Sequence, residues 1–211
     1  MNRFFILVLL VFPVLLITAQ EEGKDALALY RNGQYQRAIE VCLEELEENP
    51  GNMDSYAVLG WSLLATRQYQ RAVEYGLRAY ERSPADHRIV HTLGEAYFRL
   101  NQYLKSLNFM ERYIVLAPEN SSLIGPTYYV MGEIFIQLGE FNHADIALTT
   151  AVYHNQEKHV WWSRLGYARE NIKDYKFALE AYQQALTLNP SFREALEGQQ
   201  RVIEESGLTG G

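Results

Sequence analysis

His87, His91 and Glu95 recur at every fourth residue, so on a helix they share one face. Imidazole nitrogen and carboxylate oxygen both ligate zinc. Three donors strung along one straight helix rarely converge on a single ion, and the expected role is a polar wall. His154 and His159 straddle a turn and read as surface residues. Cys42 is the only cysteine, so an intrachain disulfide is impossible. It falls at a helix-packing position and reads as a small buried apolar group rather than a reactive thiol. The 211 residues carry no nucleophile–base spacing, Gly-rich phosphate loop or strong metal motif. The expectation is no enzyme, no cofactor and no metal.

Aromatic residues are the other candidates. There are 15 Tyr, 9 Phe and 3 Trp, many near arginine, a combination that anchors protein and peptide ligands. The net charge of −7 disfavours nucleic acid, whose phosphates are held by Lys and Arg.

The N-terminus has the layout of a secretory signal peptide over residues 1–19. Arg3 supplies a positive charge, Phe4 to Ile17 is an uncharged apolar run, and Thr18-Ala19 offers a small residue for cleavage. The run is short for a membrane span, which needs about 20 residues. Cleavage after Ala19 is the expectation and an uncleaved anchor the alternative. No membrane association is expected after cleavage. Removing residues 1–19 takes away Arg3 and no acid, so the charge of −7 becomes −8.

Positioning the aromatics requires regular elements, and the chain repeats itself. Leu59-Gly60, Leu93-Gly94, Met131-Gly132 and Leu165-Gly166 place glycines 34, 38 and 34 residues apart. Tyr35/Ala38, Tyr69/Ala72, Tyr103/Ser106, Phe141/Ala144 and Tyr175/Ala178 repeat with the same period, as do Pro50, Pro84, Pro118 and Pro190. Gln156 stands where the fourth proline would be. One four-residue insertion, within Glu119 to Pro126, accounts for both longer spacings. Asn120-Ser121-Ser122 in that loop is a glycosylation sequon only in a eukaryotic host.

These landmarks resemble the tetratricopeptide repeat family, whose 34-residue signature has the form W-x2-L-G-x2-Y…A-x3-F…P. The fifth repeat reads Trp162-x2-Leu165-Gly166…Ala178-x3-Tyr182…Pro190. The resemblance implies an all-α fold, a right-handed superhelical solenoid of antiparallel helix pairs, closed by a C-terminal capping helix. The expected boundaries are five repeats over residues 20–192 (about 19–52, 53–86, 87–120, 125–158 and 159–192). A capping helix follows over 191–206, then a flexible tail over 207–211. The helices of the second repeat should run near Asp54 to Ala65 and Tyr69 to Arg82. Glycine on the first helix of a repeat should let the second approach closely, with Trp162 in the core position of repeat five. Trp161 is left as an inter-repeat contact or a surface patch.

In this family the concave groove is lined by first-helix positions 2, 5, 9, 12 and 13. Carried onto this sequence, the partner-binding candidates are Tyr30 and Arg31 in repeat one, and Trp61 in repeat two. Repeat three contributes Arg88, His91, Glu95, Phe98 and Arg99. Repeat four contributes Tyr129 and Glu133, and repeat five Tyr167. Some family members clamp acidic C-terminal peptides with Lys and Asn at positions 5 and 9 of the first repeat. Gly23 and Leu27 occupy those positions, so that clamp is absent. The resemblance implies a scaffold or adaptor for a protein or peptide ligand, and the N-terminal segment implies export, with the bacterial periplasm as the expected compartment. The alternative is a stoichiometric accessory subunit of an envelope transport or assembly complex.

Overall fold

The computed structural model describes residues 25–207. The signal segment at 1–19, the start of repeat one and the last four residues of the expected tail lie outside them. Eleven helices follow one another among the described residues, with no strand: α1 Ala26–Arg31, α2 Tyr35–Glu48, α3 Met53–Ala65, α4 Tyr69–Arg82, α5 His87–Arg99, α6 Tyr103–Leu116, α7 Ile124–Gln137, α8 Phe141–His154, α9 His159–Asn171, α10 Tyr175–Leu188 and α11 Arg193–Ser206. None of the described helices is long and apolar enough to cross a membrane.

Local chemistry sets the boundaries. Asp25 caps α1 by accepting from the Ala28 amide at 2.9 Å. Asn52 caps α3 by accepting from the amides of Asp54 and Ser55. Every turn inside a hairpin places one residue in the left-handed region: Gly33, Arg67, Asn101, Gly139 and Lys173. Each is followed by an amide that donates back to a carbonyl five residues earlier, as Gln34 does to Leu29 and Asp174 to Arg169. This is the helix-terminating Schellman pattern, and it turns the chain sharply enough for the next helix to fold back. Three of the five positions are not glycine, which hides them as a sequence landmark.

The chain forms two compact bodies, one ending at Ala96 and the other starting at Tyr97. The first contains α1 to α4 and most of α5. Its core includes Leu29, Ile39, Cys42, Leu59, Leu63, Val90 and Leu93, all but excluded from solvent. The second contains α6 to α11, with buried clusters around Met110 and Ile134, around Leu148 and Leu165, and around Tyr182 and Val202.

The glycines mark close approaches, although one faces a different neighbour from that expected. A Cβ on Gly132 would meet Leu148, and one on Gly166 would meet Tyr182, both on the second helix of the same hairpin. Gly60 instead faces Thr92 on the first helix of the next hairpin. The small residue there serves packing between repeats. The insertion is braced internally: the Ser121 hydroxyl lies 2.7 Å from the Tyr113 hydroxyl and accepts from the Leu123 amide.

Of the two readings for Trp161 the inter-repeat contact holds, whereas Trp162, expected in the core, is only partly buried against the clusters around Leu165 and Tyr182. Trp161 is buried, 8% exposed, and its ring stacks on Tyr129 at 5.3 Å. Trp162 is half-buried, and its indole N–H donates to the Gln156 carbonyl at 2.8 Å. Gly125, the first residue of repeat four, sits against the Trp161 ring. The lack of a side chain at Gly125 leaves room for Trp161, while the Gln156 carbonyl, where other repeats carry proline, holds the Trp162 indole.

Candidate functional site

Each body has an open groove on its first-helix side. In the first body a cavity of about 500 Å³ is bounded by Asp25, Ala26, Leu27, Glu45, Asn52, Asp54, Ser55, Val58, Trp61 and Arg88. Trp61 projects from α3, and its ring lies 5.7 Å from that of Tyr30 on α1. Burial, reinforced by nearby Tyr35, raises the Tyr30 pKa. Arg88 lies in the first turn of α5. Its Nη1 donates to Asp54 at 2.6 Å, while Nε and Nη2 donate to the two oxygens of Asp86 at 3.1 and 2.7 Å. Asp86 experiences opposing effects. Burial raises its pKa, but the hydrogen bonds and charge of Arg88, with the amides of Arg88 and Ile89, outweigh it and hold the carboxyl below its ordinary value. Glu45 accepts from the Ser55 hydroxyl across the same wall.

In the second body a cavity of about 430 Å³ is bounded by Glu133, Val160, Ser163, Arg164, Tyr167, Tyr182, Phe192, Glu194, Glu197 and Arg201. Arg164 on α9 donates from Nε to Glu133 on α7 at 2.6 Å, and its guanidinium lies over the Tyr167 ring at 5.2 Å. Phe192 and its neighbours on the capping helix form the far wall, with His159 edge-on to Phe192 at 4.7 Å.

The candidates from sequence therefore separate. Trp61 and Arg88 line the first cavity, with Tyr30 against Trp61. Glu133 and Tyr167 line the second. Tyr129 is occupied by stacking on Trp161; burial first, then Glu133, pushes its pKa up to about 12 against the opposing charges of Arg164 and Arg99. Phe98 packs on the cluster around Leu107 and Met110, with Arg99 over its ring at 5.6 Å. Arg31, His91 and Glu95 line neither cavity. Burial lowers the His91 pKa, Glu95 opposes this and His87 adds to it. Among the described residues no group of three or more His, Cys, Asp or Glu is arranged to hold a metal ion.

Sequence positions alone missed several lining residues. Asp25 and Asn52 are helix caps, Glu45 belongs to a second helix, and Glu194, Glu197 and Arg201 belong to the capping helix. None falls at a repeat position associated with the groove. The only available signal was the charge on the amphipathic capping segment.

The comparisons with known proteins agree with this architecture. Tetratricopeptide repeat families match residues 24–87 and 58–121, 125–157, and 160–192. No curated protein sequence matches the chain. Among solved structures, YrrB, described as a TPR protein with an unusual peptide-binding site, is similar with a TM-score of 0.72 and 18% identity. That likeness covers 80% of this chain and 85% of YrrB. MamA from Desulfovibrio magneticus RS-1, in a form described as 41-end, is similar with a TM-score of 0.69 and 20% identity, over 80% and 93% of the two chains. A thermophilic TPR protein of Thermus thermophilus is similar with a TM-score of 0.58 and 22% identity, over 90% and 99%. Taken with the tandem hairpins and their shared turn geometry, these matches place the chain in the tetratricopeptide repeat family.

Proposed function

We propose that this protein is an exported, non-enzymatic scaffold or adaptor that holds a protein or peptide partner in its first-helix grooves. The observation that carries the reading is the pairing of half-buried aromatics with fixed charges in both grooves: Trp61 beside Arg88 and Asp54, and Tyr167 beneath Arg164 and Glu133. Half-buried aromatics supply contact area at small entropic cost, and fixed charges orient a ligand without having to be ordered first. The peptide-binding site named for YrrB supports a ligand of the same class.

The test is capture of partners from the native host with wild-type protein, Trp61→Ala and Tyr167→Ala. Loss of a specific partner in either variant is expected. Unchanged capture by both variants overturns the groove reading. One partner retained at fixed ratio would favour a stoichiometric subunit, and several in variable ratio an adaptor. Export is part of the proposal. The mass of the mature chain should correspond to Gln20 as first residue; a chain retaining residues 1–19 would be membrane-anchored instead.

A further inference from the structure

We infer that the groove of the first body accepts a basic, apolar segment of a partner protein, with Lys or Arg side chains against its carboxylates and an apolar residue against Trp61. The inference rests on the groove reading above and adds its chemistry. Asp25, Glu45 and Asp54 all line the cavity, and the Asp54 side chain is 84% exposed. Among the described residues Arg88 is the single cation lining it, and its charge is already committed: Asp54 accepts from one side and Asp86 takes the other two donors. The groove therefore presents a negative field over an apolar floor of Leu27, Val58 and Trp61. An acidic segment would meet carboxylates with no uncommitted cation among the described lining residues to compensate, whereas a cationic one gains both their charge and the indole face. The second groove differs in degree: Arg164 and Arg201 stand among its three carboxylates, so its lining carries a formal charge of −1 against −2 in the first and attracts a cation less strongly.

The experiment uses protein purified from its native host and three synthetic peptides: alternating Lys and Leu, the same with Glu for Lys, and the same with Ser for Leu. Calorimetry reads the affinity of each. The Lys–Leu peptide should bind best, the other two about tenfold or more weaker, and added salt should weaken the first. Asp25→Asn with Asp54→Asn, which keeps the helix cap, should lose about tenfold in affinity for the Lys–Leu peptide. The matched neutralisation of exposed Glu111→Gln with Glu180→Gln should leave it unchanged. Equal loss in that control would mean non-specific attraction and overturn the inference. Preferential binding of the Glu–Leu peptide, lost in Trp61→Ala, would overturn the charge assignment and leave the groove reading standing. Binding indifferent both to Trp61→Ala and to the Asn pair would remove the groove of this body altogether. Self-association abolished by Trp61→Ala would make the occupant a second copy and overturn the inference.

Discussion

Arg201 and Glu170 form a two-pronged ion pair: Nε and Nη2 of the arginine donate to the two carboxylate oxygens at 2.6 and 2.9 Å. Arg201 belongs to the capping helix α11 and Glu170 to α9 of the last repeat. Glu170 also accepts from the Tyr182 hydroxyl at 2.5 Å, which ties the capping helix to both helices of that repeat. Glu170→Ala leaves a buried phenol and a guanidinium without their acceptor. It should cost about 2–3 kcal/mol in urea unfolding. Arg201→Ala, at a more exposed position, should cost about 1 kcal/mol. Equal and negligible effects would show that the cap is held by apolar packing alone.

The Tyr182 ring lies between two glycines. A Cβ on either Gly166 or Gly198 would overlap it, and the ring is 1% exposed with its hydroxyl fixed by Glu170. Gly198→Ala should therefore destabilise by about 1–3 kcal/mol despite its higher helix propensity. Tyr182→Leu in the same chain should recover part of the loss. A stabilising Gly198→Ala would show that the ring can shift.

The two adjacent tryptophans should respond unequally. Trp161→Ala removes a buried ring that stacks on Tyr129 and should cost about 3–5 kcal/mol. Trp162→Ala removes a half-buried ring and one hydrogen bond, and should cost about 1–2 kcal/mol. Thermal melts that reverse this order would contradict the packing described.

Asp86 gives the protein an acid-sensitive contribution. Its folded pKa is depressed, so at low pH the unfolded state takes up a proton that the folded state resists. The stabilisation is present above the ordinary carboxylate pKa of about 4 and is lost as pH falls through the lower folded value. Asp86→Asn should lower stability at neutral pH and flatten the pH dependence below about 4. An unchanged slope in that range would assign the acid sensitivity to other carboxylates.

Lys173 occupies the left-handed turn position that Gly33 and Gly139 fill elsewhere. A lysine Cβ is disfavoured there by about 1 kcal/mol, so Lys173→Gly should raise the unfolding free energy by about 0.5–1 kcal/mol. A lower melting temperature would mean that unfolded-chain entropy outweighs the relief of strain.

Cys42 is wholly buried, and burial first, then Glu45, pushes its thiol up to about 12. At pH 8 a thiol reagent should label the native protein at the rate of unfolding and label it rapidly in denaturant. Fast labelling without denaturant would place the thiol at the surface.

The periodic elements were legible in the sequence because packing enforces them locally. The small residue at Ala38, Ala72, Ala144 and Ala178 recurs wherever two helices must approach, and each is fully buried. The expected helices of the second repeat match Met53–Ala65 and Tyr69–Arg82 to within a residue. A stretch of about a dozen residues sets its own helix by apolar period, caps and turns, so those features are read directly along the chain. Tertiary structure alone decided which aromatics remain available. Tyr129 is consumed by Trp161 and Phe98 by its own core, whereas Trp61 and Tyr167 keep a face toward a groove. Asp25, Glu45 and Arg88 are distant in the chain yet share one cavity, and Arg201 reaches Glu170 across 31 residues. A repeat position fixes the direction a side chain leaves its helix. What that side chain meets depends on neighbours brought in from other turns and helices, and only folding supplies them.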